Sequence, residues 1–194
     1  TFGGTVGAKI DYTTADRISY YQGKGYKLVS NNFTDGSQTF KQGENKFEVH
    51  LTHVTETKDA TKTITRDVTY VYEDGSQAAA PVHQEAHYQG SGYLDNVTGK
   101  WVTVENGKIT GLAQGLTWTP DQDSTFDQIG AKNIEGYHVS SVSGNGISGF
   151  TVGQDGTVGQ QTVTKDTPSS TIRVVYVKTP VTPVPANGSI VYID

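Results

Sequence analysis

The sequence predicts an α+β to mainly β protein of two small modules in an elongated, in-line arrangement, and three observations carry that reading. Val (21 residues) and Thr are abundant while Leu counts only 5, which favours strands over helices. Convincing helical periodicity occurs once, from Thr14 to Gln22. A polar, aperiodic stretch at residues 57–62 reads as a hinge between two groups of strand-like segments.

The first module is expected over residues 1–56. Thr5 to Tyr12 reads as a strand with Val6, Ala8 and Ile10 on one face. The helix follows, capped by Thr13 or Thr14, with Asp16 in the first turn where the helix dipole favours an anion. Ala15, Ile18 and Tyr21 share its apolar face, and Gly23 and Gly25 stop it. Tyr26 to Ser30 and Lys46 to Val54 read as strands, joined by a turn-rich stretch around Asp35-Gly36. One helix and three strands in so short a span suggest a β-grasp-like layer of helix on sheet. Its first strand is missing, because such a sheet opens with a hairpin before the helix.

The second, mainly β module is expected over residues 63–178. Ile64, Val68, Tyr70 and Tyr72 alternate along its opening strand, which ends at Glu73-Asp74-Gly75-Ser76. Further strands are read over Val82 to Tyr88, Lys100 to Val104, Tyr137 to Val142, Gly149 to Val152 and Thr171 to Val177. Thr117 to Asn133 carries no strand signal, and Asp127 to Ala131 reads as one short helical turn. The phrase Asp-Gly-Ser-Gln occurs at 35–38 and again at 74–77, where it reads as turn chemistry. Residues 179–188 hold three prolines in an extended spacer, and residues 189–194 form a fresh strand-like segment. That ending, with no Met anywhere, predicts a piece of a longer tandem array.

Composition excludes several functions. A formal charge of −5, with only Arg17 and Arg66 before Arg173, gives no basic patch for nucleic acid. No apolar stretch approaches the ~20 residues that a spanning helix needs. The absence of Cys removes disulfides, zinc–thiolate sites and thiol catalysis, and suits a chain secreted unfolded by a Gram-positive bacterium. The 11 Tyr and 2 Trp must supply core area that Leu does not.

The order of motifs carries a resemblance. Tyr12-Thr13-Thr14-Ala15-Asp16-Arg17-Ile18-Ser19-Tyr20-Tyr21, then Gly25-Tyr26-Lys27-Leu28-Val29, then Phe47-Glu48-Val49-His50-Leu51 resembles the first half of a mucus-binding (Mub-type) repeat of lactobacillal cell-surface adhesins. Tyr70-Val71-Tyr72-Glu73-Asp74-Gly75, Pro81, Thr98-Gly99-Lys100-Trp101, Phe126 and Ile134-Glu135-Gly136-Tyr137 resemble its second half in the same order. The resemblance implies an extracellular, cell-wall-anchored adhesin of tandem two-part repeats, the first part ubiquitin-like. It implies mucin glycoproteins as ligands, immunoglobulins for some repeats, neighbouring repeats as partners, and no cofactor. The family's module opens with a strand of the kind seen at Ser189 to Asp194, so that segment is expected to begin the next repeat. A structural stalk projecting an adhesive tip is the alternative.

His83, Glu85 and His87 alternate along one strand face, as zinc ligands would, against the plainer reading of a solvated polar face. His50 and His53, three apart, fall on opposite faces and form no pair. Asp121, Asp123 and Asp127 begin like a calcium loop, but Phe126 and Lys132 stand where Gly and Glu are needed. Only a looser oxygen site or plain solvation is left there. The acids form no catalytic pair, Ser lacks an elbow, and no phosphate loop precedes a helix, so the chain reads as non-enzymatic. Ring faces suited to sugars are the better case. Tyr88, Tyr93 and Trp101 lie around one expected hairpin, with the Trp the most core-like and the two Tyr the more exposed.

Overall fold

The computed structural model describes residues 2–122 and 124–194. The chain forms two compact units, Thr1–Thr61 with Gln89–Thr119, and Lys62–Tyr88 with Pro120–Asp194. The described elements are α1 (Ala15–Gln22), β1 (Tyr26–Asn31), β2 (Val49–His53), β3 (Thr55–Tyr72), β4 (Gln77–Asp95), β5 (Trp101–Glu105), β6 (Lys108–Leu112), β7 (Thr117–Pro120), β8 (Thr125–Phe126), β9 (Tyr137–Asn145), β10 (Gln161–Thr162) and β11 (Ser170–Lys178). The mainly β character is as expected, with one short helix.

The first unit holds α1 beside the antiparallel pair β1–β2, whose register runs from Tyr26↔His53 to Asn31↔Val49. Its core is small and aromatic, with Ile10, Phe33 and Phe40 buried and Phe47 packed against them. The strand expected over Thr5 to Tyr12 reduces to a single bridge, Lys9↔Thr39. Exposed Val6 gives that segment no second buried face, and only Ile10 is anchored. The helix is not capped by its own threonines. Asp35, 21 residues away, accepts the Thr14 N–H (2.8 Å) and hydroxyl (2.9 Å) and the Ala15 N–H (3.1 Å). The Thr14 N–H, opposed by burial and helped by the other two donors, holds the Asp35 carboxyl below its usual range. The second copy of the phrase behaves as read: Asp74 accepts the Ser76 N–H at 2.9 Å, beside Gly75 at φ +84°.

Residues 57–62, read as a hinge, lie inside β3. Thr-rich polar segments make good strands when both faces meet solvent, and then no apolar alternation marks them. The 18-residue β3 and the 19-residue β4 each belong partly to both units, so neither unit is one continuous stretch of chain. Within the first unit, the end of β4 pairs with β5 (Tyr93↔Val102), β5 pairs with β6, and β7 also pairs with β4.

In the second unit β3 pairs parallel with β11, Ile172 opposite Val68 and Val174 opposite Tyr70, and β11 pairs antiparallel with β9. Alternate residues therefore face one core of Val68, Tyr70, Ile172, Val174 and Tyr176, closed by Ile129 and Val158. No helical turn forms at Asp127 to Ala131. Ile129 exchanges two backbone hydrogen bonds with Val158, both 2.9 Å, which holds it extended. The strand expected over Gly149 to Val152 amounts to one bridge, Val152↔Val158. Arg66 takes an inward position of β3, fully buried, among these apolar residues. The spacer and residues 189–194 carry no strand, and Ile190 to Ile193 are exposed.

Candidate functional site

The candidate site grows from the sequence Gln89-Gly90-Ser91-Gly92-Tyr93, which is strand rather than turn. Removing two side chains from one face of a strand lets rings lie directly on its backbone. A Cβ on Gly90 would stand 3.0 Å from three ring atoms of Trp118, and one on Gly92 would stand 3.3 Å from Trp101. Both Trp of the chain are thus seated on β4 glycines. Next to them Tyr93, opposite Val102 in the register, keeps 39% of its surface exposed. The cleft alongside, about 250 Å³, is lined by Tyr93 with the hydroxyls of Thr57, Ser91, Thr103 and Thr117. No charged side chain lines it. A ring that presents a face among neutral hydroxyls can stack on the C–H face of a sugar while its neighbours bind the sugar hydroxyls.

Of the three sequence-predicted residues, Tyr93 lines the cleft, Trp101 lies over Gly92 on the other face of the sheet, and Tyr88 is in neither place. Tyr88 is 4% exposed, in the second unit, and its hydroxyl donates to the Val163 carbonyl at 3.0 Å. The expected hairpin places it at an exposed position. Because 89–92 continue as strand, Tyr88 sits mid-strand on the inward face and serves packing. Trp118 escaped the sequence reading, as did β6, although Asn106-Gly107 is a strong hairpin signal. In the structure both residues have positive φ, 50° and 76°.

His83, Glu85 and His87 do share one face, as the alternation requires. His83 pairs through Nδ1 with Asp67 and through Nε2 with Glu85 at 3.2 Å, while His87 meets Glu85 at 3.0 Å and Thr63 at 3.1 Å. Each ring nitrogen faces an oxygen. Among the described residues no group of three such side chains is arranged to hold a metal ion. Asp123 lies outside the described residues. Asp121 and Asp127 are exposed, and Asp127 is used through its carbonyl, which accepts from Arg66 and Gln84. His53 has a partner from another strand: its Nδ1 lies 2.8 Å from Asp95, whose carboxylate also accepts the Val97 N–H and the Thr98 hydroxyl. Burial pushes the Asp95 carboxyl up, but His53 and these two donors outweigh it and hold it below its usual range.

The His83 cluster has a pH signature. Asp67 first and Glu85 second raise the His83 pKa above its ordinary 6.5, so its contribution is fully present below that value and is lost as pH rises through the folded pKa. His83 first and His87 second lower the Glu85 pKa below its ordinary 4.5, so that contribution is present above 4.5 and is lost as pH falls through the folded pKa. The cluster therefore stabilises most between these two ordinary values. Urea midpoints of the parent and His83→Gln are expected to differ inside that window and to converge above it. A constant gap at alkaline pH would show that the cluster does not act through charge.

Comparison with known proteins gives two domain matches in order. Residues 1–53 match a model described as a Mucin binding domain, and residues 55–145 match a Muc B2-like domain. The chain is similar to the crystal structure of Mub-RV, at 29% identity and a TM-score of 0.60, covering 92% of this chain and 88% of that one. A type 2 repeat of the mucus binding protein MUB from Lactobacillus reuteri is 22% identical with a TM-score of 0.43, covering 92% of this chain and 89% of that one. A mucin-binding domain from Streptococcus pneumoniae is 23% identical with a TM-score of 0.38, covering 64% and 99%. No curated protein matches the chain.

Proposed function

The chain belongs to the mucus-binding (Mub-type) repeats, a mucin-binding domain followed by a Muc B2-like domain, and from that premise we propose that it is a non-enzymatic adhesion repeat that holds mucin glycans at the Tyr93 cleft. The observation that carries this reading is the make-up of the cleft, one exposed ring among four hydroxyl side chains with no charge. Trp101 pairs with Leu94, one position along from the Tyr93–Val102 pair, so it lies on the other face of the sheet, where it covers Gly92, and the cleft is left to Tyr93 and its hydroxyl neighbours. A shallow neutral cleft of this size binds weakly. Repetition along a cell-wall-anchored polypeptide at the bacterial surface supplies the strength, because a first contact raises the effective concentration of the second. Immunoglobulins are a second ligand class in this proposal, taken along the free outer edge of β9, where backbone N–H and C=O groups can pair with an added strand.

Retention on immobilised mucin tests the reading. The parent chain is expected to be retained and Tyr93→Ala to lose most of that retention, with its urea midpoint little changed because the ring is partly exposed. Tyr93→Phe, which keeps the ring face, is expected to retain most of it. Equal retention of the parent and Tyr93→Ala sinks the assignment of the cleft. No retention of the parent favours the stalk alternative.

A further inference from the structure

Strand direction decides how a β-ladder answers a pull along the chain. β3 and β11 run parallel, in register from Ser170↔Arg66 to Tyr176↔Tyr72. The chain enters this ladder at the Arg66 end of β3 and leaves it at the Tyr176 end of β11. Tension along the chain therefore draws the two strands past each other in opposite directions. The bonds of a parallel pair are evenly spaced along it, so all of them are loaded at once. β1 and β2 have the other arrangement. There the chain enters at Tyr26 and leaves at His53, and these two residues are partners at one end of the pair. The same tension opens that pair from one end, one bond after another.

The parallel ladder is also reinforced where it is loaded. β11 lies between β3 and β9 and has no free edge. Val68, Tyr70, Ile172, Val174 and Tyr176 on its inward face are each 2% exposed or less. Water reaches the ladder from the outer face only, and bonds shielded from water are the stronger ones. Arg66, fully buried, stands in the first pair of the ladder, opposite Ser170. Its guanidinium holds the Gly159 and Asp127 carbonyls at 2.8 Å each. One residue earlier, the Thr65 N–H donates to the Ser169 hydroxyl at 2.9 Å. Sliding β3 towards its own N-terminal end must break these contacts together with the ladder. We propose that β3 and β11 form a shear lock, which gives the second unit a load-bearing function beyond ligand binding. An adhesion repeat is pulled whenever the bodies it joins move apart, and the proposal rests on the adhesion reading only for this source of load. The strength of the lock does not depend on which ligand or cleft holds.

Single-molecule pulling of the full chain tests it. The chain has no Cys, so introduced cysteines alone fix the points of attachment. Thr61→Cys with Lys178→Cys loads the ladder from opposite ends, because Thr61 precedes Arg66 on β3 and Lys178 follows Tyr176 on β11. Glu73→Cys with Lys178→Cys loads the same ladder from one end, because Glu73 follows Tyr72. All three positions are exposed, so both double variants carry the same fold and differ only in the direction of load. Forced unfolding follows the rate of crossing the unfolding barrier rather than the equilibrium stability, so direction matters even at equal stability. Rupture in the first variant is expected at a several-fold higher force than in the second. Equal forces, or a higher force in the second, overturn the proposal. Loss of mucin retention would leave both forces as they are, so the two readings fail separately.

Discussion

Arg66→Ala is expected to cost the second unit about 3–5 kcal/mol, the sum of a cavity and of buried acceptors left unpaired. The side chain is fully buried, and its charge is spread over three neutral acceptors. Nε donates to Gln84 Oε1, Nη1 to the Gly159 carbonyl and Nη2 to the Asp127 carbonyl, each at 2.8 Å. The guanidinium also lies 5.3 Å from the Phe126 ring centre and 4.9 Å from that of Phe150, both faces attractive to a cation. Burial pushes its pKa down, but an arginine stays charged at any ordinary pH. The group acts as a clasp, tying β3 and β4 to the irregular segments that carry Asp127 and Gly159. Arg66→Met should be milder, since it keeps the stem volume and leaves Asp127 its second donor, Gln84 Nε2 at 3.0 Å. Urea unfolding followed by circular dichroism measures all three chains. A loss within about 0.5 kcal/mol for Arg66→Ala would be the range of ordinary surface substitutions and would refute the clasp.

Arg66 also marks where the sequence stops being legible. Val68 and Tyr70 on β3, and Ile172, Val174 and Tyr176 on β11, recur at every second position, and each falls on the inward face as the period of two requires. Arg66 occupies that same alternating register, but a charged residue in it reads as an interruption. Its three partners lie 18, 61 and 93 residues away, where local pattern has no reach. The Asp35 cap is hidden for the same reason, because the phrase looks like a turn and its carboxylate is spent on a helix far back in the chain. Residues 57–62 are a different case: the boundary between the two units falls among them, between Thr61 and Lys62, but they continue as strand, and a strand with two solvated faces has no apolar alternation to read. In the candidate site Tyr93 and Trp101 were legible as aromatics among hydroxyls. Trp118 was not, since it comes from a stretch without strand signal, and nothing local shows that Gly90 and Gly92 make room for rings from other strands.

Gly23 and Gly25 were read alike, as residues that stop the helix, and the structure predicts opposite responses to alanine. Gly23 has φ −65°, and an added Cβ would meet nothing closer than 3.4 Å. Gly23→Ala is therefore expected to be neutral or to stabilise by up to about 1 kcal/mol, because it narrows the unfolded ensemble. Gly25 has φ +99°, and its Cβ would stand 2.6 Å from the Asn96 carbonyl carbon and oxygen and 2.8 Å from the Val97 nitrogen. These are backbone atoms, which cannot swing aside as a side chain can. Three segments meet at this point. The Val54 N–H donates to the Gly25 carbonyl at 2.8 Å, and the Asn96 N–H donates to the Val54 carbonyl at 3.0 Å. The His53–Asp95 pair lies next along the chain, with the Tyr26 ring 5.1 Å from His53. Moving Asn96 away to admit a methyl group would strain both hydrogen bonds and that pair. Left-handed strain and the backbone clash together make Gly25→Ala cost about 3 kcal/mol or more. Thermal unfolding of the two variants side by side decides the matter. Similar shifts for both would mean that position 25 is only a helix stop, and that the approach of Asn96 contributes nothing to the fold.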